Sequence, residues 1–239
     1  MKKNILIYGA NSLISFEIIK LIHKDCKNLY LFSRNKAMFK NKFYYKSYPR
    51  IKFMSVNILD KKKNFVLFKK IKGKLDGVIW VAGETGSASL EFNNPTLVEQ
   101  NIKLNFLNPV IFINYLIKKL RKNNKSFLVF ITSVAGLRGR KKNMFYGSAK
   151  AGAISYMSGL RQKFNNQLKI ITVIPGYIKT NNFNIKCSKF LVSSPKFVAK
   201  KIVAAINNHT EVVYVSFIWK IIMILIKFIP EKIFKKLNF

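Results

Sequence analysis

Short apolar runs near residues 4–8, 28–33, 51–56, 77–82, 126–133, 169–174 and 212–216 alternate along the chain with longer stretches of helical, amphipathic character. This rhythm constrains the fold more than any single motif. Strands separated by helices pair through crossovers and build a parallel sheet. Runs such as Phe127-Leu128-Val129-Phe130-Ile131 are apolar on both faces, which calls for helices on both sides of that sheet. The pattern predicts one α/β domain over residues 1–216, a doubly wound parallel sheet of about seven strands. A chain of 239 residues buries enough surface to hold such a core without disulfides.

Composition narrows the function classes. A chain that is 49% hydrophobic and 14% aromatic is not disordered. Cys26 and Cys187, with two His, stand too far apart for a zinc module or a redox pair, so no metal site is expected and a reducing, cytoplasmic setting is. The net charge of +35 invites a nucleic-acid partner, because basic surfaces bind phosphates by releasing counterions. Here the excess is Lys spread along the whole chain, with Asn abundant and Arg scarce, which argues for compositional drift and against a base-reading patch. Met1-Lys2-Lys3 leads into Ile5-Leu6-Ile7-Tyr8, an apolar run that ends at Gly9 without a cleavage site and reads as the first strand, not as a secretory signal.

After that strand, Gly9-Ala10-Asn11-Ser12-Leu13-Ile14-Ser15 opens a helix continuing through Phe16-Glu17-Ile18-Ile19-Lys20. A dinucleotide pyrophosphate sits at this place in a Rossmann-type sheet, where Gly9 permits the tight turn and the helix N-terminus supplies a positive dipole. Asn11 and Ser12 offer side-chain and backbone donors, and Leu13 and Ile14 lie in the first helical turn. The second strand ends Ser33-Arg34, with no acid to hold a ribose 2′-hydroxyl and an Arg able to pair with a 2′-phosphate. That tips the cofactor reading toward NADP(H) over NAD(H).

Tyr146 and Lys150 are four residues apart, on one face of a helix if this stretch is helical. A neighbouring cation lowers a phenol pKa, and such a Tyr can donate a proton to a carbonyl oxygen that receives hydride, or take it back in reverse. Lys150 would also reach the nicotinamide ribose. Ser133 follows a buried strand at its C-terminal end, where open α/β sheets bind ligands, and can orient the substrate oxygen.

Taken in order, the glycine turn, Val81-Ala82-Gly83, Asn105, Ser133, Tyr146 with Lys150, and Pro175-Gly176 with Thr180 resemble the short-chain dehydrogenase/reductase family over nearly the whole chain. The resemblance implies that Ser133, Tyr146 and Lys150 do the catalysis and that Asn105 holds a water in the proton relay. It implies that Ala82 and Gly83 let the cofactor approach, that Asn57 and Ile58 border the adenine, and that Pro175, Gly176, Ile178 and Thr180 border the nicotinamide. The family's Gly-rich turn would want Thr at Tyr8 and Gly at Leu13 and Ser15; Ser15 is small enough for close helix packing, and Leu13 fits if its side chain points away from the pyrophosphate. A homo-oligomer is also implied.

Residues 217–239 form an apolar, basic-ended tail. Phe217 to Ile229 is almost wholly apolar apart from Lys220 and Lys227, and is too short to span about 30 Å of hydrocarbon. Its wide apolar arc fits a helix lying in a membrane interface, with Trp219 at headgroup level and Lys232, Lys235 and Lys236 toward anionic lipid, or alternatively a helix buried against the domain or a partner subunit. This tail also looks like that of lipid-linked sugar reductases, typified by the reductase subunit of decaprenylphosphoryl-ribose 2-epimerase. The expected function is thus NAD(P)-dependent reduction of a ketone, on a small-molecule or lipid-linked carbonyl substrate, in the cytoplasm or on the cytoplasmic face of a membrane, with residues 180–194 and the tail covering the cleft. The alternatives are a 3-oxoacyl thioester reductase, taking its substrate from an acidic acyl carrier protein, and a non-catalytic cofactor-binding membrane scaffold.

Overall fold

The computed structural model describes residues 2–36, 50–180 and 188–237. Cys187, most of the expected cleft cover before residue 188, and the last two residues of the tail lie outside that set. The strands are β1 (Lys3–Tyr8), β2 (Cys26–Ser33), β3 (Ile51–Ser55), β4 (Gly77–Trp80), β5 (Phe127–Ile131), β6 (Lys169–Ile174), β7 (Tyr177–Ile178), β8 (Val192–Ser193) and β9 (Val212–Tyr214). Seven of them form one sheet in the order β3-β2-β1-β4-β5-β6-β9, every pair parallel, and β7 pairs with β8 beside it. The apolar runs thus form the expected sheet. The runs expected to continue to 82, 133 and 216 leave it at Trp80, Ile131 and Tyr214, and the residues after them become loops at the carboxyl edge.

Alternate residues of each strand serve two cores. Ile5, Ile7, Leu29, Leu31, Val129 and Ile131 face α1 (Leu13–Ile22) and a later helix, Pro195–Asn208. On the other face Leu6, Tyr8, Tyr30, Phe32, Leu128 and Phe130 meet α2 (Lys61–Lys69), the helix Asn108–Lys119 and the helix Met144–Lys163. The period of two in a sheet buried on both sides produces this division.

In chain order the remaining helices are α3 (Ala88–Phe92), α4 (Pro95–Ile102), α5 (Asn108–Lys119), α6 (Met144–Lys163), α7 (Pro195–Asn208), α8 (Phe217–Phe228) and α9 (Glu231–Phe234). A π-helical turn, Lys103–Leu107, joins α4 to α5.

The tail is continuous with the domain on one side. Trp219, Met223 and Ile226 of α8 are buried with Val134 and Ile174 in a third cluster. This corrects the expectation for Trp219. It is only 4% exposed and its indole Nε1 donates to the Leu191 carbonyl at 2.8 Å, so it anchors the tail inward and does not face headgroups. An indole offers both large apolar area and a polar handle, and here the domain satisfies both. No described helix is long and apolar enough to cross a membrane.

Candidate active site

The sheet order reverses between β1 and β4, and the loops leaving the carboxyl ends of those two strands lie side by side. Gly9 has φ +92, and a Cβ there would stand 2.6 Å from the Ala82 amide nitrogen. Only glycine gives both that backbone conformation and that approach. Tyr8 ends β1 with its ring on the opposite side, stacked on Trp80 at 4.2 Å, and its hydroxyl donates to Asn64 Oδ1 at 2.7 Å. Its size therefore fills the core under the turn and leaves the turn itself open.

Ser12 caps α1 by accepting from the Ser15 amide at 3.0 Å, while the Ser15 hydroxyl, wholly buried, donates to the Gly9 carbonyl at 2.8 Å. Ser15 thus ties the turn together at the position where the family pattern has a glycine. Leu13 is half-buried against the core and lines a surface groove with Phe16, Ser194 and Pro195, away from the Gly9–Ala82 contact. Asn11 Nδ2 is already engaged, donating to the Asn35 carbonyl at 2.7 Å, but its Oδ1 is buried with no partner. The Ser12, Ser15 and Phe16 amides are also engaged, so among the described residues the amides of Leu13 and Ile14 remain for an anion at the helix start.

On the other side of the switch point, Ser133 follows β5 and accepts from the Ala135 amide at 3.1 Å. Gly136 lies directly against the backbone of Lys150 and Ala151, which fixes α6 close to the end of β5. From α6, half-buried Tyr146 interacts with the Ser133 side chain, and the Lys150 ammonium sits 5.5 Å from the centre of the Tyr146 ring. Lys150 is 2% exposed and donates to the Ile131 carbonyl at 3.3 Å. All four residues expected to do the chemistry converge here, since Asn105 Oδ1 and Lys150 Nζ stand 3.0 and 2.9 Å from the point that a Cβ on Gly83 would occupy.

Asn105 is held firmly. It lies in the π turn, fully buried; its Nδ2 donates to the carbonyls of Glu84 (2.8 Å) and Asn101 (3.1 Å) and to Asn101 Oδ1 (2.9 Å), and its Oδ1 accepts from the Glu84 amide. Asn101 in turn donates to Glu91 Oε1 at 2.6 Å. Sequence reasoning passed over Asn101, Glu84 and Glu91. The i, i+4 pair of Asn101 and Asn105 was the available signal. π turns within helices frequently mark functional positions, and this one brings a side chain of the helix to the strand ends.

Electrostatics correct one expectation. The Tyr146 phenol is not brought down toward neutrality; burial pushes it up to about 12, with the Ser133 side chain opposing. Burial also lowers Lys150 to about 8. Desolvation is the larger cause at the phenol and the cause at the ammonium.

Elsewhere, Arg34 is exposed just past β2, with its carbonyl accepting from the Ser55 hydroxyl at 2.9 Å. Asn57 is exposed after β3 and Ile58 is buried beside it. Pro175 accepts from the Val134 amide at 3.0 Å, Ile178 packs on the core and Thr180 is exposed. At Gly176 a Cβ would run into the Trp219 indole, so this glycine makes room for the tail helix on one side.

A family model described as short chain dehydrogenase matches residues 3–188. The chain belongs to this family. Among curated relatives it is 24% identical over 137 residues to an uncharacterized oxidoreductase of Mycobacterium tuberculosis, covering 57% of this chain and 55% of that protein. It is 28% identical to the ketoacyl reductase HetN of Nostoc, covering 61% and 53%. The chain thus spans little more than half the length of these relatives. A 3-oxoacyl-[acyl-carrier-protein] reductase of Buchnera aphidicola is 26% identical, with 90% of each chain covered. A short chain dehydrogenase from Burkholderia cenocepacia, solved in complex with NADP, superposes with a TM-score of 0.83 at 15% identity over 100% of this chain and 98% of its own. That likeness speaks to the fold.

Proposed function

We propose that this protein is an NADP(H)-dependent carbonyl reductase. The observation that carries the reading is the convergence of Tyr146, Ser133, Lys150 and Asn105 beside the Gly9–Ala82–Gly83 cradle. The residues present fit a nicotinamide dinucleotide. Gly9 lets the loops after β1 and β4 close on each other, Gly83 lets Lys150 and Asn105 approach the end of β4, Asn11 Oδ1 is buried without a partner, and the Leu13 and Ile14 amides stand at a helix start. The pyrophosphate would be held there, Arg34 would meet a 2′-phosphate, Asn57 and Ile58 would flank the adenine, and Ala82, Pro175, Gly176, Ile178 and Thr180 would border the nicotinamide. When bound, the cofactor supplies the hydride.

The chain's own residues then manage the oxygen. Ser133 orients the substrate carbonyl, and Tyr146 delivers its hydroxyl proton to the oxygen as charge develops there. A phenol held as high as about 12 stays protonated at neutral pH, which suits donation and hence reduction. Lys150, buried beside the ring, compensates the phenolate left behind. A water within reach of Asn105 Oδ1 and Lys150 would return the proton.

For the substrate, we favour a ketone on a lipid-linked molecule such as a keto-sugar, because the apolar tail lies against both Gly176-Tyr177 and the loop before Tyr146. A 3-oxoacyl thioester is the second reading. It is supported by the two ketoacyl reductases among the relatives and by a basic surface suited to an acidic carrier protein. Both readings expect NADPH to bind more tightly than NADH, and expect Arg34→Ala to weaken NADPH about tenfold while leaving NADH unchanged, as loss of a charge-assisted hydrogen bond implies. Titration followed by nicotinamide fluorescence measures this, and failure to bind either cofactor sinks the reductase reading. Turnover of lipid-linked keto-sugars against acyl thioesters separates the two substrates.

A further inference from the structure

The tail helix α8 has two apolar faces, and the domain covers only one. At roughly 100° per residue, Trp219, Met223 and Ile226 form a single inward stripe. Diametrically opposite stand Phe217, Ile218, Ile221, Ile224, Leu225 and Phe228, exposed by 69, 40, 46, 45, 63 and 82%. No described residue covers this arc. Lys220 and Lys227 run along one edge of it, and Lys232, Lys235 and Lys236 follow after Pro230. The acid in this stretch, Glu231, is paired with Arg138 at 2.6 Å. The Leu191 carbonyl that receives the Trp219 indole belongs to the turn Lys189–Leu191, which carries Phe190, 81% exposed.

We propose that the outer face of α8, with Phe190 beside it, docks the protein on an anionic lipid bilayer, the helix lying parallel to the surface. At this face charge complementarity selects lipid over a second copy of this chain, because the five lysines around the apolar arc would face one another across a two-fold interface. The same lysines gain from an anionic surface while the apolar arc enters the headgroup boundary. The inner stripe adds a consequence. Trp219 packs on Gly176 and Tyr177, and α9 closes a cleft of about 250 Å³ against Arg140, Lys141 and Met144, two residues before Tyr146. Docking therefore holds the segments flanking the candidate catalytic Tyr at the bilayer. Only this last step rests on the reductase reading.

The test is co-sedimentation of the full chain with phosphatidylcholine vesicles and with vesicles of equal parts phosphatidylcholine and phosphatidylglycerol. The wild type is expected to pellet with the mixed vesicles and to stay in solution with the neutral ones. A variant carrying Leu225→Glu and Phe228→Glu, both exposed, should lose binding by more than about tenfold, and each of Lys232→Gln, Lys235→Gln and Lys236→Gln about fivefold, the equivalent of about 1 kcal/mol per lysine. Unchanged thermal melting and NADPH affinity in buffer establish that these variants fold, and keep a docking failure distinct from a failure of the reductase reading. Absence of wild-type binding to the mixed vesicles overturns the proposal. So does equal pelleting of wild type and the Glu variant, or a wild-type dimer in sedimentation velocity that the Glu variant dissociates.

Discussion

The turn after β1 and the cluster on α6 meet at the same end of the sheet but resemble their family in different ways. In the cluster the residue types named by the resemblance are all present: a phenol and an ammonium on α6, and a hydroxyl after β5. In the turn, Tyr8, Leu13 and Ser15 all depart from the family pattern, yet Gly9 keeps its left-handed backbone tight against Ala82. Tyr8 turns its ring into the core, Leu13 lies along a groove toward Pro195, and the Ser15 hydroxyl bonds back to Gly9. The difference shows what each region demands. Proton transfer needs particular atoms with particular pKa values. A phosphate cradle needs backbone amides and room, and several side chains can leave room.

The largest expected effect breaks the first half of that comparison. Tyr146→Phe removes the donated proton and nothing that shapes the cofactor turn, so ketone reduction should fall about a hundred- to ten-thousand-fold while NADPH affinity stays within twofold to threefold. Steady-state turnover and fluorescence titration measure the two. Turnover retained near the wild-type level would remove Tyr146 from the mechanism.

Next comes Lys150, where the pKa gives a signed pH dependence. Its folded-state value of about 8 lies below the ordinary 10.5, so between those values the unfolded chain binds more protons and stability rises with pH. Tyr146 and Cys26, raised instead, contribute stability that is lost as the pH climbs above their ordinary values of 10 and 9 toward about 12, and Lys122 and Lys169 are lowered as Lys150 is, so the comparison of wild type with a Lys150 variant is what isolates Lys150. Lys150→Met should flatten that rise by up to about 1 kcal/mol per pH unit, read as the difference between wild-type and variant urea midpoints at pH 7 and 9.5. Identical slopes would show that the ammonium is not desolvated as the structure has it.

How much of this was legible in the sequence divides along the same line. Strands apolar on both faces give the sheet, and the spacing of Tyr146 and Lys150 gives the cluster, because both depend on local periodicity. Orientation across the fold was not legible. The residues of α8 are apolar nearly all round, so nothing local distinguishes the stripe of Trp219 from that of Phe228; the fit of an indole against Gly176 decides it. The phenol of Tyr146 was misjudged for a related reason. Sequence spacing shows the neighbouring cation, whereas the dominant cause, burial, is a property of the assembled site.

Gly9→Ala tests the turn where room is obligatory. A left-handed backbone and a Cβ 2.6 Å from the Ala82 nitrogen should cost about 1–3 kcal/mol and reduce NADPH binding along with stability. An unchanged melting temperature would mean the two loops are free to part.

Ser15→Gly is the smallest effect and the sharpest test of the comparison, because it restores the family residue. If the family pattern mattered as such, the change would strengthen cofactor binding without penalty. The structure points elsewhere. The hydroxyl is buried and satisfies the Gly9 carbonyl, and glycine in the first turn of α1 adds backbone entropy to the unfolded chain, so stability should fall by about 1–2 kcal/mol. NADPH affinity should move by less than about threefold, since the amides of Leu13 and Ile14 and the approach at Gly9 are untouched. Together, denaturant midpoints and NADPH titration separate the two views. A stabilised protein with tighter binding would mean that Ser15 is a compromise in the turn, and lost stability at constant affinity would mean that it is the bond holding a differently built turn in the same shape.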